Sequence, residues 1–415
     1  MKRISKSGWK SSSGIIYFLG IIGPGLVVML ADTDAGSIVT AAQSGAVWGY
    51  KLLLLQVILI PILFIVQELT VRLGIVTGKG HGELIKEKFG PVWAWISVGT
   101  LTIASFGALI TEFAGIGGVG LIFGIPLWAS VGVAVVFLAL VALTGSYRSV
   151  EKIAILIGSF ELAFVIIAVW VHPKINVVLS GLAQIPWKNT DYLYLAAANV
   201  GAVIMPWMIF YQQSAIVDKK LKIHDLRASR QDTILGAIIT QIIMASVLIA
   251  AAATIGVSNP GAPLDTVQQI TKAFTPFFGN TFGTIAFAMG IIGAGMVAAI
   301  VVSLAMAWGL GEVTGYRHSL EHHPMDAPWF YTIYIVGLVL SGLWVISGTN
   351  LINLSVAVQI MNALLLPIVL GFLYLLALRA LPEKYKLKGI KAVLVGIFIL
   401  LTSGFGVFAV LNTLL

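Results

Sequence analysis

Asp32 and Asp34 lie near the centre of an apolar run over 15–47, with Thr33, Gly36 and Ser37 beside them. A carboxylate at membrane depth costs several kcal/mol unless it has a partner or lines a cavity, so it marks a functional site. The expected partner is a cation. A second signal stands at Gly201-Ala202-Val203-Ile204-Met205-Pro206, again in the middle of an apolar run. Proline has no N–H, so Pro206 in a helix leaves the carbonyl four residues earlier, that of Ala202, without its donor. A free carbonyl oxygen at that depth is a natural cation ligand; the plainer reading is a kink whose carbonyl a neighbouring hydroxyl satisfies. Met205, three residues from Ala202, shares its face if helical geometry persists. Its thioether favours manganese, iron or cadmium over magnesium or calcium, although a methionine in a span is more often packing.

The remaining carboxylates of the apolar runs are Glu68, Glu112 and Glu161, and no Lys, Arg or His sits well inside any run. Buried acids without basic partners bind cations or take up protons. Glu68 is one helical turn from Arg72, which predicts a salt bridge. Glu112 and Glu161 read either as proton carriers or as structurally bonded carboxyls. Gln359 and Asn362 are three apart and could face one cavity, ordering a hydrated ion or bonding between helices. Glu321, His322, His323 and Asp326 could suggest zinc, but adjacent histidines do not face one another on a helix and the segment reads as a solvated loop.

The elements that must position these residues follow from composition. The chain has 415 residues, 59% hydrophobic and 10% charged, far outside the range of soluble domains. Stretches able to supply the roughly 20 residues of a spanning helix lie at 15–47, 51–73, 91–123, 127–145, 151–171, 191–217, 233–257, 279–309, 328–347, 350–379 and 389–414. The expectation is therefore an all-α polytopic membrane protein of eleven transmembrane helices. No cysteine is present, which excludes disulfides and thiolate ligands. The net charge of +8 is topological: with the N-terminus inside, 21 of the 25 basic residues fall on inner segments. The positive-inside rule then places the N-terminus in the cytoplasm and the C-terminus outside, and no nucleic-acid partner is expected. No cleaved signal is expected either.

Interruptions in the first and sixth spans lie five helices apart, so they are equivalent if spans one to five repeat as spans six to ten. An odd number of spans per repeat inverts the second copy. Matching interruptions in inverted halves point to a midplane binding site in a secondary transporter. The chain reads as one transmembrane domain over 1–415, with repeats at 15–171 and 191–379 and an additional helix at 389–414.

Gly23-Pro24-Gly25, Asp34-Ala35-Gly36-Ser37, Gly49-Tyr50-Lys51-Leu52-Leu53 and Arg72-Leu73-Gly74-Ile75-Val76-Thr77-Gly78-Lys79 together resemble the Nramp (natural resistance-associated macrophage protein) family of divalent metal transporters. Phe123-Gly124-Ile125-Pro126-Leu127-Trp128, Gly201-Ala202, Met205-Pro206 and Ser214-Ala215 extend the resemblance. It implies a leucine-transporter-type 5+5 inverted repeat with helices one and six broken. It also implies a metal site made of Asp34, Ser37 in place of the family's asparagine, the Ala202 carbonyl and Met205. Asp32, Gln359 and Asn362 would stand around it.

The chain departs from the family pattern at several points. Ala35 replaces the signature proline, Ser37 the asparagine and Trp207 the histidine that follows M-P, and there is one more residue than usual between Met205-Pro206 and Ser214. Glu112 is retained, but Leu109 takes the place of the family's aspartate and helix nine has no arginine. This pattern resembles the divergent Nramp-related magnesium transporters, which the family's background describes as moving magnesium and manganese without proton coupling. The expectation is a plasma-membrane (inner-membrane) carrier, not an enzyme and without a cofactor. It would act as a monomer in the bilayer and move Mg2+ and Mn2+ by alternating access. The alternatives are proton-coupled import of Mn2+ or Fe2+ and, from another class, sodium-coupled amino-acid transport, which shares the architecture.

Overall fold

The computed structural model describes residues 20–414 apart from 259, 260, 262, 263, 265, 266, 273, 274, 349 and 350, and every regular element among the described residues is helical. The basic opening segment and the start of the first expected span, 15–19, lie outside the described residues. In order the helices are α1 (Pro24–Asp32), α2 (Ala35–Trp48), α3 (Leu53–Thr77), α4 (His81–Phe89), α5 (Pro91–Ile122), α6 (Leu127–Ala142), α7 (Tyr147–Gly158), α8 (Leu162–Trp170) and α9 (Ile175–Ala183). There follow α10 (Thr190–Val203), α11 (Pro206–Asp218), α12 (Leu226–Ser258), α13 (Val267–Lys272), α14 (Thr275–Thr314), α15 (Pro328–Ile346), α16 (Leu351–Arg379) and α17 (Gly389–Leu414).

Among the described residues, nine helical stretches are long and apolar enough to cross a bilayer, and α6 is a shorter apolar helix. The first stretch, Ala35–Thr77, contains α2 and α3 joined by a 3-10 turn at Gly49–Leu52. Backbone polar groups in hydrocarbon must be satisfied within the segment, which is why such apolar runs fold as helices. Apolar side chains cover the outside, and Trp93, Trp95, Trp128, Trp170, Trp329 and Trp344 are all exposed, as expected where amphipathic rings meet the membrane interface.

Two helices are broken where the sequence predicts. α1 gives way to α2 at Thr33 and Asp34, and α10 to α11 at Ile204 and Met205. Both breaks are buried: α2 packs against α12, α10 against α16 and α17, and α11 against α3 and α14.

The start of α1 is fastened to its neighbours. Asp232 of α12 accepts from the N–H groups of Gly23 (3.2 Å), Gly25 (2.8 Å) and Leu26 (3.2 Å). These are among the N–H groups a first helical turn leaves unpaired, and a carboxylate there also complements the helix dipole. Lys219, just after α11, donates to the carbonyls of Ile21 (3.2 Å) and Ile22 (2.9 Å) while pairing with Glu151 of α7 (2.8 Å). A side chain at Gly25 would press on the Asp232 carboxylate at 2.7 Å, and one at Gly23 would overlap that of Glu151. The glycines permit the clamp.

Candidate functional site

The first break is built by carboxylates. Asp34 sits in an extended conformation (φ −58°, ψ 166°) as the N-cap of α2, and its Oδ1 accepts from the Ser37 N–H at 2.5 Å. Aspartate is favoured at this position because its oxygen satisfies an otherwise unpaired N–H. Ala35, standing where the resemblance expects proline, keeps its N–H and donates it to Glu112 Oε2 at 3.0 Å. Glu112 thus has a structural partner on the broken segment, and its carboxyl lies beside that of Asp34. The Thr33 hydroxyl lies between the Leu30 carbonyl (2.7 Å) and the carboxyl of Glu161. Asp32 and Asp34 are buried; neither oxygen of Asp32 and not Oδ2 of Asp34 has a hydrogen-bond partner among the described residues.

The second break is built by the backbone. Ile204 (φ −124°, ψ 93°) and Met205 (φ −106°, ψ 142°) are extended, and Pro206 opens α11 at a position where its missing N–H has no helical role. The chain leaves the helix before the proline, so the Ala202 carbonyl is freed by two extended residues as well as by Pro206. It accepts from the Ser37 hydroxyl at 2.9 Å. One hydrogen bond therefore joins the two breaks.

The expected alignment of Met205 with Ala202 on one helical face is corrected: helical geometry ends at Val203 and does not persist across Ile204 and Met205, so the three-residue spacing carries no facing relation. Met205 is fully buried within the hydrophobic cluster that includes Val203, Ile204, Trp207 and Met208. Gln359 and Asn362 do share a face. Gln359 Nε2 donates to Asp34 Oδ1 at 3.4 Å, and Asn362 Nδ2 donates to Gln359 Oε1 at 2.9 Å. Glu68 pairs with Arg72 as expected, and also with Arg230 at 2.6 Å. Among the described residues no group of three or more His, Asp or Glu side chains is arranged as a metal cage.

Two contributors act through contacts that the sequence does not show. Glu161 was noted without its partner Thr33, because they are 128 residues apart. Asp232 was passed over because it adjoins the expected boundary of a span, where a carboxylate reads as solvated; in the structure it is buried.

The family model described as natural resistance-associated macrophage protein-like matches residues 25–412. The chain is 28% identical over 300 residues to the divalent metal cation transporter MntH 1 of Pseudomonas aeruginosa, covering 68% of this chain and 67% of that one. It is 27% identical over 299 residues to MntH of Aeromonas hydrophila, covering 69% and 72%. In fold it is similar to the manganese transporter of Eremococcus coleocola in complex with an aromatic bis-isothiourea compound, with TM-score 0.76 at 21% identity over 98% of this chain and 90% of that one. It is also similar in fold to MhsT in complex with L-phenylalanine, with TM-score 0.63 at 13% identity over 99% and 100%. The architecture is that of the leucine-transporter type, two broken helices meeting at their breaks, and with a family match running over nearly its whole length the chain belongs to the Nramp family.

Proposed function

We propose that this protein carries divalent metal cations across the plasma membrane by alternating access of two inverted repeats, 15–171 and 191–379, with the N-terminus in the cytoplasm. Asp34 supplies the charged ligand through Oδ2, and Ser37 Oγ and the Ala202 carbonyl supply neutral oxygens. The observation that carries this reading is the buried Asp34 Oδ2, which has no hydrogen-bond partner among the described residues, beside the Ser37–Ala202 bond that joins the two breaks. A cation between them would exchange that bond for its own coordination.

The donor set favours hard ions. Carboxylate, hydroxyl and carbonyl oxygens suit magnesium and manganese, and magnesium keeps several of its waters. Met205 lies in an apolar cluster, which supports an oxygen-lined site rather than a thioether one. We take Mg2+ and Mn2+ as the substrate pair. Glu112 is committed to the Ala35 N–H, Leu109 stands where the family carries an aspartate, and α15 contains no arginine; these support transport without proton coupling. The adjacency of Glu112 and Asp34 favours the second reading, proton-coupled uptake of Mn2+ or Fe2+.

Proteoliposomes offered Mg2+ and Mn2+ separately, with a pH-sensitive dye inside, test both. Entry of both ions without internal acidification is expected. Acidification that follows Mn2+ entry, with no Mg2+ flux, would replace the first reading with the second. Uptake of labelled amino acids with no metal flux would discard both.

A further inference from the structure

Helix α16 is pressed against both breaks at one residue. A side chain at Gly36, in the first turn of α2, would lie 2.7 Å from Gln359 Nε2, and one at Gly201, in the last turn of α10, would overlap the Gln359 carbonyl. Gln359 is wholly buried between them. The direction of its amide follows from its neighbours. A carboxylate oxygen only accepts, so the amide nitrogen faces Asp34 Oδ1, and the amide oxygen must then find a donor. Asn362 Nδ2 is that donor, at 2.9 Å.

A run of two hydrogen bonds thus leads from Asn362 through Gln359 to Asp34. Both N–H groups that reach the Asp34 carboxylate, from Ser37 and from Gln359, end on Oδ1. Oδ2 receives neither. Resting on the reading of Asp34 as the cation's ligand, we infer that Asn362 is a positioning residue: by holding the Gln359 oxygen it keeps the amide nitrogen on Asp34 Oδ1, and so presents Oδ2 alone to the cation. Asn362 acts through Gln359 and touches no ion itself. Without it the Gln359 oxygen is left buried and unpaired, the amide turns to find a donor, and Asp34 Oδ1 loses one of its two N–H donors.

The test is calorimetric binding of Mn2+ to the purified full chain, paired with the KM and maximal rate of Mn2+ uptake in proteoliposomes. A net hydrogen bond of ordinary strength corresponds to a roughly three- to tenfold change in affinity. Asn362→Leu is expected to weaken Mn2+ binding by that factor and to raise KM, with the maximal rate changed less than about twofold. Gln359→Leu should weaken binding at least as much. The double variant should bind no more weakly than Gln359→Leu alone, because residues acting in series are not additive. Additive losses, unchanged affinity in Asn362→Leu, or a gain in affinity would each overturn the inference. If Asn362→Leu is not monodisperse, the isosteric pair Asn362→Thr and Asn362→Val asks the same question, since only threonine retains a donor. Weaker binding by the valine variant supports the inference and equal binding refutes it. Asp34→Asn separates the two levels: if it leaves Mn2+ binding intact the site itself lies elsewhere, whereas its loss beside a silent Asn362→Leu removes only the role of Asn362.

Discussion

The breaks in the first and sixth membrane helices are equivalent in place and different in construction. At the first, side chains open the helix: Asp34 takes the Ser37 N–H, Glu112 takes that of Ala35, and Glu161 meets the Thr33 hydroxyl. At the second, the main chain opens it, through two extended residues and a proline, with no side-chain cap. One break concentrates carboxyl groups and the other supplies a main-chain carbonyl held by the Ser37 hydroxyl. In the proposed function a cation would draw on both, the first to offset the loss of its hydration and the second to complete its shell without adding charge.

The comparison is broken most directly at the charged side. Asp34→Ala is expected to lower metal uptake by at least about 100-fold, as loss of a contact to an ionised group allows, while the purified protein still elutes as a single species. Near-native uptake would show that the charge of the first break is dispensable. Glu112→Leu tests whether the second carboxylate is structural. Leaving the buried Ala35 N–H unpaired should destabilise the protein by about 1–3 kcal/mol, read as a lower melting temperature in detergent.

On the other side, Pro206→Ala lets the helix close across Ile204 and Met205, and in that closed form the restored N–H competes for the Ala202 carbonyl. Uptake should fall by about tenfold, the size of one good hydrogen bond to an acceptor that is needed elsewhere. If the rate is unchanged, the extended residues alone keep the second break open. Ser37→Ala removes the bond between the breaks. A roughly fivefold rise in KM is expected, with a maximal rate near that of the parent. The smallest effect belongs to Ala35→Pro. Position 35 is the first of its helix, where proline is well tolerated, so uptake should stay within about twofold. Glu112→Leu should then cost less stability in that background than in the parent chain.

Much of this design was legible before any coordinates. Carboxylates in the middle of an apolar run and a proline in the middle of another identify the two breaks, because hydrocarbon tolerates neither without a reason. The pairing of Glu68 with Arg72 follows from helical spacing alone. What the sequence could not convey is how the breaks are dressed from afar. Met205 was placed by assuming a helix that the chain has already left. Ala35 read as a departure from a motif, whereas its retained N–H gives Glu112 a partner 77 residues away. Gln359 and Asn362 were seen as neighbours on one helix, but the close approach that Gly36 and Gly201 allow depends on three segments meeting. Long-range contacts of this kind leave no periodicity to detect.

The clamp at the start of α1 has a bearing on how that helix is held. Asp232 holds three backbone N–H groups, and Lys219 holds two carbonyls and Glu151. Because these bonds converge on one carboxylate and one ammonium, losing either group frees several main-chain atoms at once. A helix end seated in this way stays in place through small fluctuations that would break any single hydrogen bond, and it carries α1 as one piece with α7 and α12.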